Sequence, residues 1–288
     1  MTPLSRQLDA NGLRFDLLEW APDGATGVDA AATVVALHGF PQTPWAWEGV
    51  GERLAGRGLR VLAPAQRGYS PGARPQEVAA YTTPALGSDV LALCDSEGLD
   101  RVHLLGHDWG ASVGWWLVAH HAERFRSFTA LSVPHTGVMN DVLQGDPDQQ
   151  QKSSYFRLFW QEGKAEDVLL EDDARRLRAV FEDEVPGVMV DRHMALLGER
   201  SALTGALNWY RAMSGKDSRI GPVDVPVTYI WGAGDPALGR VAAERSGEGV
   251  TADYRFVEVP DAGHWLPECE PALIADEVVD LSRRAARA

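Results

Sequence analysis

The sequence predicts an α/β fold in which a largely parallel sheet is covered by helices on both faces and interrupted by one all-helical insertion. Two observations carry this prediction. Apolar runs rich in valine, leucine and isoleucine alternate with helical patterns through the first half of the chain, as strands buried on both faces do. From about Gly137 to Arg219 those runs vanish and charged helical stretches such as EDVLLEDDARRLRAVFEDE replace them, before the strand pattern resumes with PVTYIWGAGD. The 288 residues therefore divide into a core domain, residues 1–136 and 220–288, and a helical cap or lid sub-domain, residues 137–219.

The elements follow in order. Leu8 to Trp20 carries Asn11-Gly12 between alternating residues, the signal of a hairpin, so the sheet is expected to start with an antiparallel edge. TVVALHG, RVLAPA, VHLLGHD and SFTALSVP read as buried strands. The helix expected from Ala111 to about Phe125 contains Trp115, Trp116, Leu117 and Val118, too many bulky apolar residues for one exposed face. DYRFVEVPDAGHW supplies a last strand, and Ala272 to Ala286 an amphipathic closing helix.

Composition narrows the function classes. An apolar fraction of 45% with 24% charged residues is that of a soluble globular protein, and no apolar run is long enough to span a membrane. The first twenty residues lack the basic, apolar and small-residue segments of a secretion signal, so a cytoplasmic location is expected. A net charge of −14 without basic patches argues against a nucleic-acid partner. Cys94 and Cys269 have no metal-ligand spacing and are expected to be structural thiols, with no metal site.

The residues that suggest chemistry lie at strand ends. In Gly106-His107-Asp108-Trp109-Gly110, small residues flank an aspartate at a strand-to-helix turn, a setting that holds a nucleophile exposed and strained. Asp108 could instead cap the following helix, a role worth roughly 1 kcal/mol. His264 follows the last strand and Asp235 the one before it, which brings both to the carboxyl edge of the sheet beside Asp108. Asp261 is a competing acid, but three residues from His264 in one loop it has less freedom to orient the imidazole from behind. A carboxylate gains little by attacking a carbonyl, whereas attack on a saturated carbon bearing a leaving group gives a stable ester. An epoxide or a carbon–halogen bond fits such a nucleophile.

HGFPQTPWAW, RGYSPG, LLGHDWGASVGW, SVPH, ALNWYRAM, WGAGDPAL and VPDAGHWLP together resemble the epoxide hydrolase branch of the α/β-hydrolases over nearly the whole chain. The resemblance implies a mostly parallel eight-stranded sheet, an Asp108-His264-Asp235 triad and an oxyanion hole made by the backbone N–H groups of Phe40 and Trp109. It also implies that Tyr210, in NWYR, donates to the epoxide oxygen. His38, Pro41, Phe156 and Trp209 are expected to line the substrate pocket. No cofactor is implied, the partner is a small apolar epoxide, and a homodimer is compatible. One position departs from the family: the second lid tyrosine stands five residues before the glutamine matching Gln161, where this chain has Phe156. One residue is about 100° of helix, so the adjacent Tyr155 reaches the pocket only if the lid helix starts differently. Either Tyr155 has taken over, or Tyr210 works alone, or the substrate is not an epoxide. The rivals are a haloalkane or haloacid dehalogenase, which would need an asparagine where Phe40 stands or arginines after the nucleophile, and a relative that binds ligand without turnover.

Overall fold

The computed structural model describes residues 2–24, 32–181, 184–213 and 219–287. Its strands are β1 (Leu4–Ala10), β2 (Leu13–Trp20), β3 (Thr33–Leu37), β4 (Arg60–Pro64), β5 (Val102–His107), β6 (Phe125–Leu131), β7 (Val227–Gly232) and β8 (Tyr254–Val259). They form one sheet in the order β1-β2-β4-β3-β5-β6-β7-β8. β1 and β2 are antiparallel around Asn11 and Gly12, which take φ of 50° and 73° as the hairpin turn demands. β2 runs antiparallel to β4, and every later pairing is parallel. The α/β-hydrolase fold is thus realised, with the antiparallel edge where the sequence predicted it.

The helices are α1 (Glu48–Ala55), α2 (Thr83–Ser96), α3 (Trp109–His120), α4 (Thr136–Gly145), α5 (Pro147–Lys152), α6 (Phe156–Phe159), α7 (Lys164–Arg178), α8 (Gly187–Leu197), α9 (Arg200–Ala212), α10 (Arg240–Arg245), α11 (Leu266–Cys269) and α12 (Pro271–Ala285). The period of two along each strand splits the core. Val34, Ala36, Val61 and Leu105 meet Val50 and Leu54 of α1 and Ile274 and Val278 of α12. Their neighbours Val35, Leu37, Leu62 and Leu104 meet Leu86 and Val90 of α2 and Val113 and Leu117 of α3 on the other face. Between β6 and β7 the described residues form α4 to α9; residues 182–183 and 214–218 of that stretch lie outside the description, as do residues 25–31 of the core.

Two boundaries differ from the sequence expectation. α3 begins at Trp109 and stops at His120, because His121 leaves helical geometry at φ −139° and Phe125 is already the buried first residue of β6. The charged stretch expected as one helix is kinked. In α7, Asp172, Asp173 and Ala174 have φ of 51°, 56° and 57°, a left-handed turn at a run of three acidic residues, and aspartate tolerates that region better than most side chains.

The order of the sheet also locates the site. The chain adds β4 on one side of β3 and β5 on the other, and such a reversal opens a crevice at the carboxyl ends of the two strands. The segments that leave those ends are His38-Gly39-Phe40 and Asp108.

Candidate active site

The turn after β5 is built by three glycines. A Cβ on Gly110 would collide with the Leu37 carbonyl, one on Gly106 with the Gly110 carbonyl, and one on Gly39 with the Asp108 side chain. Close approach of the two strand ends leaves Asp108 at φ 51° and ψ −118°, a conformation that costs a non-glycine residue about 1–3 kcal/mol. The carboxylate makes no capping hydrogen bond to α3 beyond its first residue. Its Oδ1 instead accepts the Phe40 N–H at 2.8 Å, and the Trp109 N–H also acts on it. Both backbone N–H groups named from the sequence thus reach the Asp108 carboxylate.

Asp108 Oδ2 lies 3.8 Å from His264 Nε2, beyond a direct hydrogen bond. The other imidazole nitrogen, Nδ1, faces Asp235 Oδ2 at 2.8 Å. Asp235 is buried, and its Oδ1 accepts the N–H groups of Ala237 at 2.8 Å and Leu238 at 2.9 Å. Asp261, the alternative acid, is exposed.

Electrostatics follow from burial. Burial pushes the Asp108 pKa up, partly offset by His264 and the two N–H donors. Burial by itself would lower His264, but the charges of Asp235, Asp108 and Glu268 outweigh it and raise its pKa to about 9. His38 goes the other way: burial lowers it to about 3, so its ring is neutral.

Across from the carboxylate stand two phenols. Tyr155 and Tyr210 are hydrogen-bond partners; Tyr210 is buried and Tyr155 is 36% exposed, and desolvation, together with nearby negative charge, pushes both above the ordinary phenol range, so both keep their protons. The Trp109 side chain is a further hydrogen-bond partner of the Tyr210 phenol, with the two rings 5.0 Å apart and perpendicular. Tyr155 reaches this place because α6 begins only at Phe156. It sits at the start of that short helix, after a turn, rather than one residue along a continuous helix.

Asp108, Tyr155, Tyr210 and Ala237 line both of two adjoining cavities. The larger, about 320 Å³, adds Phe40, Phe159, Leu169, Trp265 and His264; the smaller, about 100 Å³, adds Trp109, Val133, Met139, Leu143 and Phe156. His38, Pro41 and Trp209 line neither cavity. His38 is buried against the Gly39 carbonyl and the Gln66 N–H, Pro41 is buried, and Trp209 donates its indole N–H to the Arg67 carbonyl at 2.8 Å. Sequence reasoning missed Lys152, which lines the larger cavity and donates to the Asp235 carbonyl at 2.9 Å, and the buried groups Gln42, His193 and Glu268. Lys152 could have drawn notice as one of only three lysines in the chain. Among the described residues no group of three His, Cys, Asp or Glu side chains is arranged to hold a metal ion. No described helix is long and apolar enough to cross a membrane.

Comparison with known proteins identifies the family and the fold. Residues 32–271 match the family model for the alpha/beta hydrolase fold. Epoxide hydrolase A of Mycobacterium tuberculosis (strain ATCC 25618 / H37Rv) is 30% identical, over 96% of this chain and 97% of that one. The AB hydrolase superfamily protein YfhM of Bacillus subtilis (strain 168) is 31% identical over 89% and 92%. The crystal structure of epoxide hydrolase A from Mycobacterium thermoresistibile superimposes with a TM-score of 0.84 at 27% identity, covering 98% of both chains.

Proposed function

The chain belongs to the α/β-hydrolase family, in its epoxide hydrolase-like branch, and from that premise we propose that it opens a small, largely apolar epoxide to a vicinal diol through an ester on Asp108. The observation that carries the reading is the meeting, in one cavity, of a carboxylate backed by an imidazole with a pair of protonated phenols.

The steps follow from the contacts. The Phe40 N–H holds Oδ1 of Asp108, with the Trp109 N–H also on the carboxylate, and Oδ2, on the His264 side, attacks a ring carbon. As the carbon–oxygen bond breaks, Tyr155 and Tyr210 donate to the oxygen that gains charge. The product of this step is a neutral ester. Esterification removes the Asp108 charge, one of those that hold the proton on His264, and so eases its conversion to a base. His264 then takes a proton from water attacking the Asp108 carboxyl carbon, with Asp235 stabilising the imidazolium. The oxyanion of that intermediate forms on Oδ1, which the Phe40 N–H already holds. As it collapses, the ester C–O bond breaks and the imidazolium gives its proton to the departing oxygen, releasing the diol; the proton left on the Asp108 carboxyl returns to the phenol that protonated the first oxygen, which restores both groups.

The lid of residues 137–219 supplies both phenols, Tyr155 from the turn between α5 and α6 and Tyr210 from α9, and closes the cavity over the sheet edge. The dehalogenase reading is weaker, because the Trp109 side chain that would hold a halide is engaged by Tyr210 and Phe40 stands where a second halide donor is needed. Intact-protein mass spectrometry of His264→Gln incubated with an epoxide tests the proposal. An adduct of the full substrate mass on Asp108 is expected; an adduct of substrate less HX from a haloalkane would favour the dehalogenase, and no adduct from a proven substrate would mean direct attack by water.

A further inference from the structure

Behind His264 lies a chain of buried polar groups that the reaction scheme does not use. Glu268 of α11 has a side chain only 2% exposed, and both of its oxygens accept from Gln42 Nε2 at 2.8 Å. Another partner among the described residues is His193 of α8, fully buried, whose Nε2 lies 3.2 Å from one Glu268 oxygen. The His193 Nδ1 accepts the Thr43 N–H at 3.1 Å, so Nε2 carries the proton that points at Glu268. In the other direction Gln42 Oε1 accepts the Gly39 N–H at 3.2 Å and lies 2.7 Å from His107 Nδ1, while His107 Nε2 lies 2.8 Å from the His264 carbonyl. Burial holds His107 neutral, so its single N–H serves one of those two oxygens at a time. A buried carboxylate is costly unless its partners are in place. Here those partners come from the loop after β3 and from a helix of the lid segment.

We propose that Glu268 is a positioning residue for the hydrolytic half of the reaction, clamping the His264 loop to Gln42 on one side and to His193 of α8 on the other. The proposal rests on the ester mechanism above and deepens it. It couples the seating of α8 to the step that His264 performs, and it leaves the attack by Asp108 untouched. The charge of Glu268 also supports His264: with Asp235 and Asp108 it is one of the carboxylates that raise the imidazole pKa. The other ionisable groups at this place are His107 beside His264, the Cys269 thiol, which burial and then the charges of Glu268, Glu184 and Glu270 push up to about 12, and Glu184, whose carboxylate lies against Gly263.

The test separates the two half-reactions in single-turnover experiments with styrene oxide. Glu268→Gln keeps the shape and removes the charge. Alkylation should stay within about threefold of wild type, while ester hydrolysis slows about tenfold and its acid limb moves down by about one pH unit, a unit of pKa being tenfold in proton affinity. Glu268→Asp should restore the position of that limb. His193→Leu, which cuts the lid end of the clamp and keeps the carboxylate, should slow hydrolysis by at least about threefold with alkylation preserved. A normally melting Glu268→Gln that hydrolyses its ester at the wild-type rate and pH overturns the proposal, as does equal slowing of both steps. Should Glu268→Gln not fold, the Asp and His193 variants carry the same two criteria. If wild-type protein and His264→Gln form no ester at all from a turned-over epoxide, the ester mechanism fails instead, a separate and recognisable result.

Discussion

Removing the two lid phenols in turn bears most directly on the chemistry. A hydrogen bond to a charged group contributes about 1.5–3 kcal/mol, so one phenol donating to the departing oxygen is worth roughly 10- to 150-fold in rate. Tyr155 and Tyr210 are already hydrogen-bond partners and line the same two cavities, so either can serve the oxygen when the other is gone. Each single change to phenylalanine should therefore lower the alkylation rate by about tenfold, at the bottom of that range, and the double change by about 10²–10⁴, the span of a lost general acid. Phenylalanine keeps the edge contacts of Tyr210 with Phe159 at 4.9 Å and Trp109 at 5.0 Å, so folding should be little affected. Stopped-flow tryptophan fluorescence follows the step, since Trp109 adjoins the reacting groups. If one single change were silent and the other as severe as the pair, the shared-donor reasoning would be wrong. If all three variants reacted at the wild-type rate, the leaving group would need no proton and the epoxide would drop out.

Asp108→Ala should abolish turnover with an unchanged melting temperature, since the residue is strained and buried for attack rather than packing; more than a tenth of the wild-type rate in a folded protein would refute its role. His264 has a folded pKa raised from 6.5 to about 9, so its stabilising interaction is complete below about pH 6.5 and disappears as pH rises through 9. Wild-type melting temperature should fall more steeply than that of His264→Gln between pH 6.5 and 9.5, and parallel curves would contradict the charge assignment. Asp235→Asn removes the partner 2.8 Å from Nδ1 and should slow ester hydrolysis more than alkylation in single-turnover traces. Gly110→Ala must push a methyl into the Leu37 carbonyl and should lose about 1–3 kcal/mol in denaturant melts.

How much of this was legible in the sequence depends on whether the signal was local. The strands, the Asn11-Gly12 hairpin and the turn at Asp108 were readable because apolar period, turn residues and glycine spacing act over a few residues. The end of α3 was missed because Trp115 to Val118 continues an apolar pattern that a single residue, His121, breaks. The place of Tyr155 was left open because nothing in the sequence marks the break between α5 and α6, after which Tyr155 and Phe156 both line a cavity. His38, Pro41 and Trp209 were expected in the pocket from their neighbours in sequence, yet tertiary packing turns them into the core. The Gln42–Glu268–His193 contacts join residues 226 and 75 positions apart, with no pattern in the sequence to announce them.

The joining of two unequal cavities at Asp108 and the tyrosines has a stereochemical consequence on the proposed reading. An oxirane held at that waist must send its two substituents in opposite directions, about 320 Å³ of room on one side and about 100 Å³ on the other. The bulkier arm takes the larger side, and this decides which ring carbon is turned toward Oδ2. Regiochemistry, and with it the handedness of the diol, is then set by the walls of the smaller side, Met139 and Leu143 among them, rather than by the reacting groups. Enlarging that side would let the ring bind in either direction and convert a selective enzyme into an indifferent one, with every catalytic contact intact.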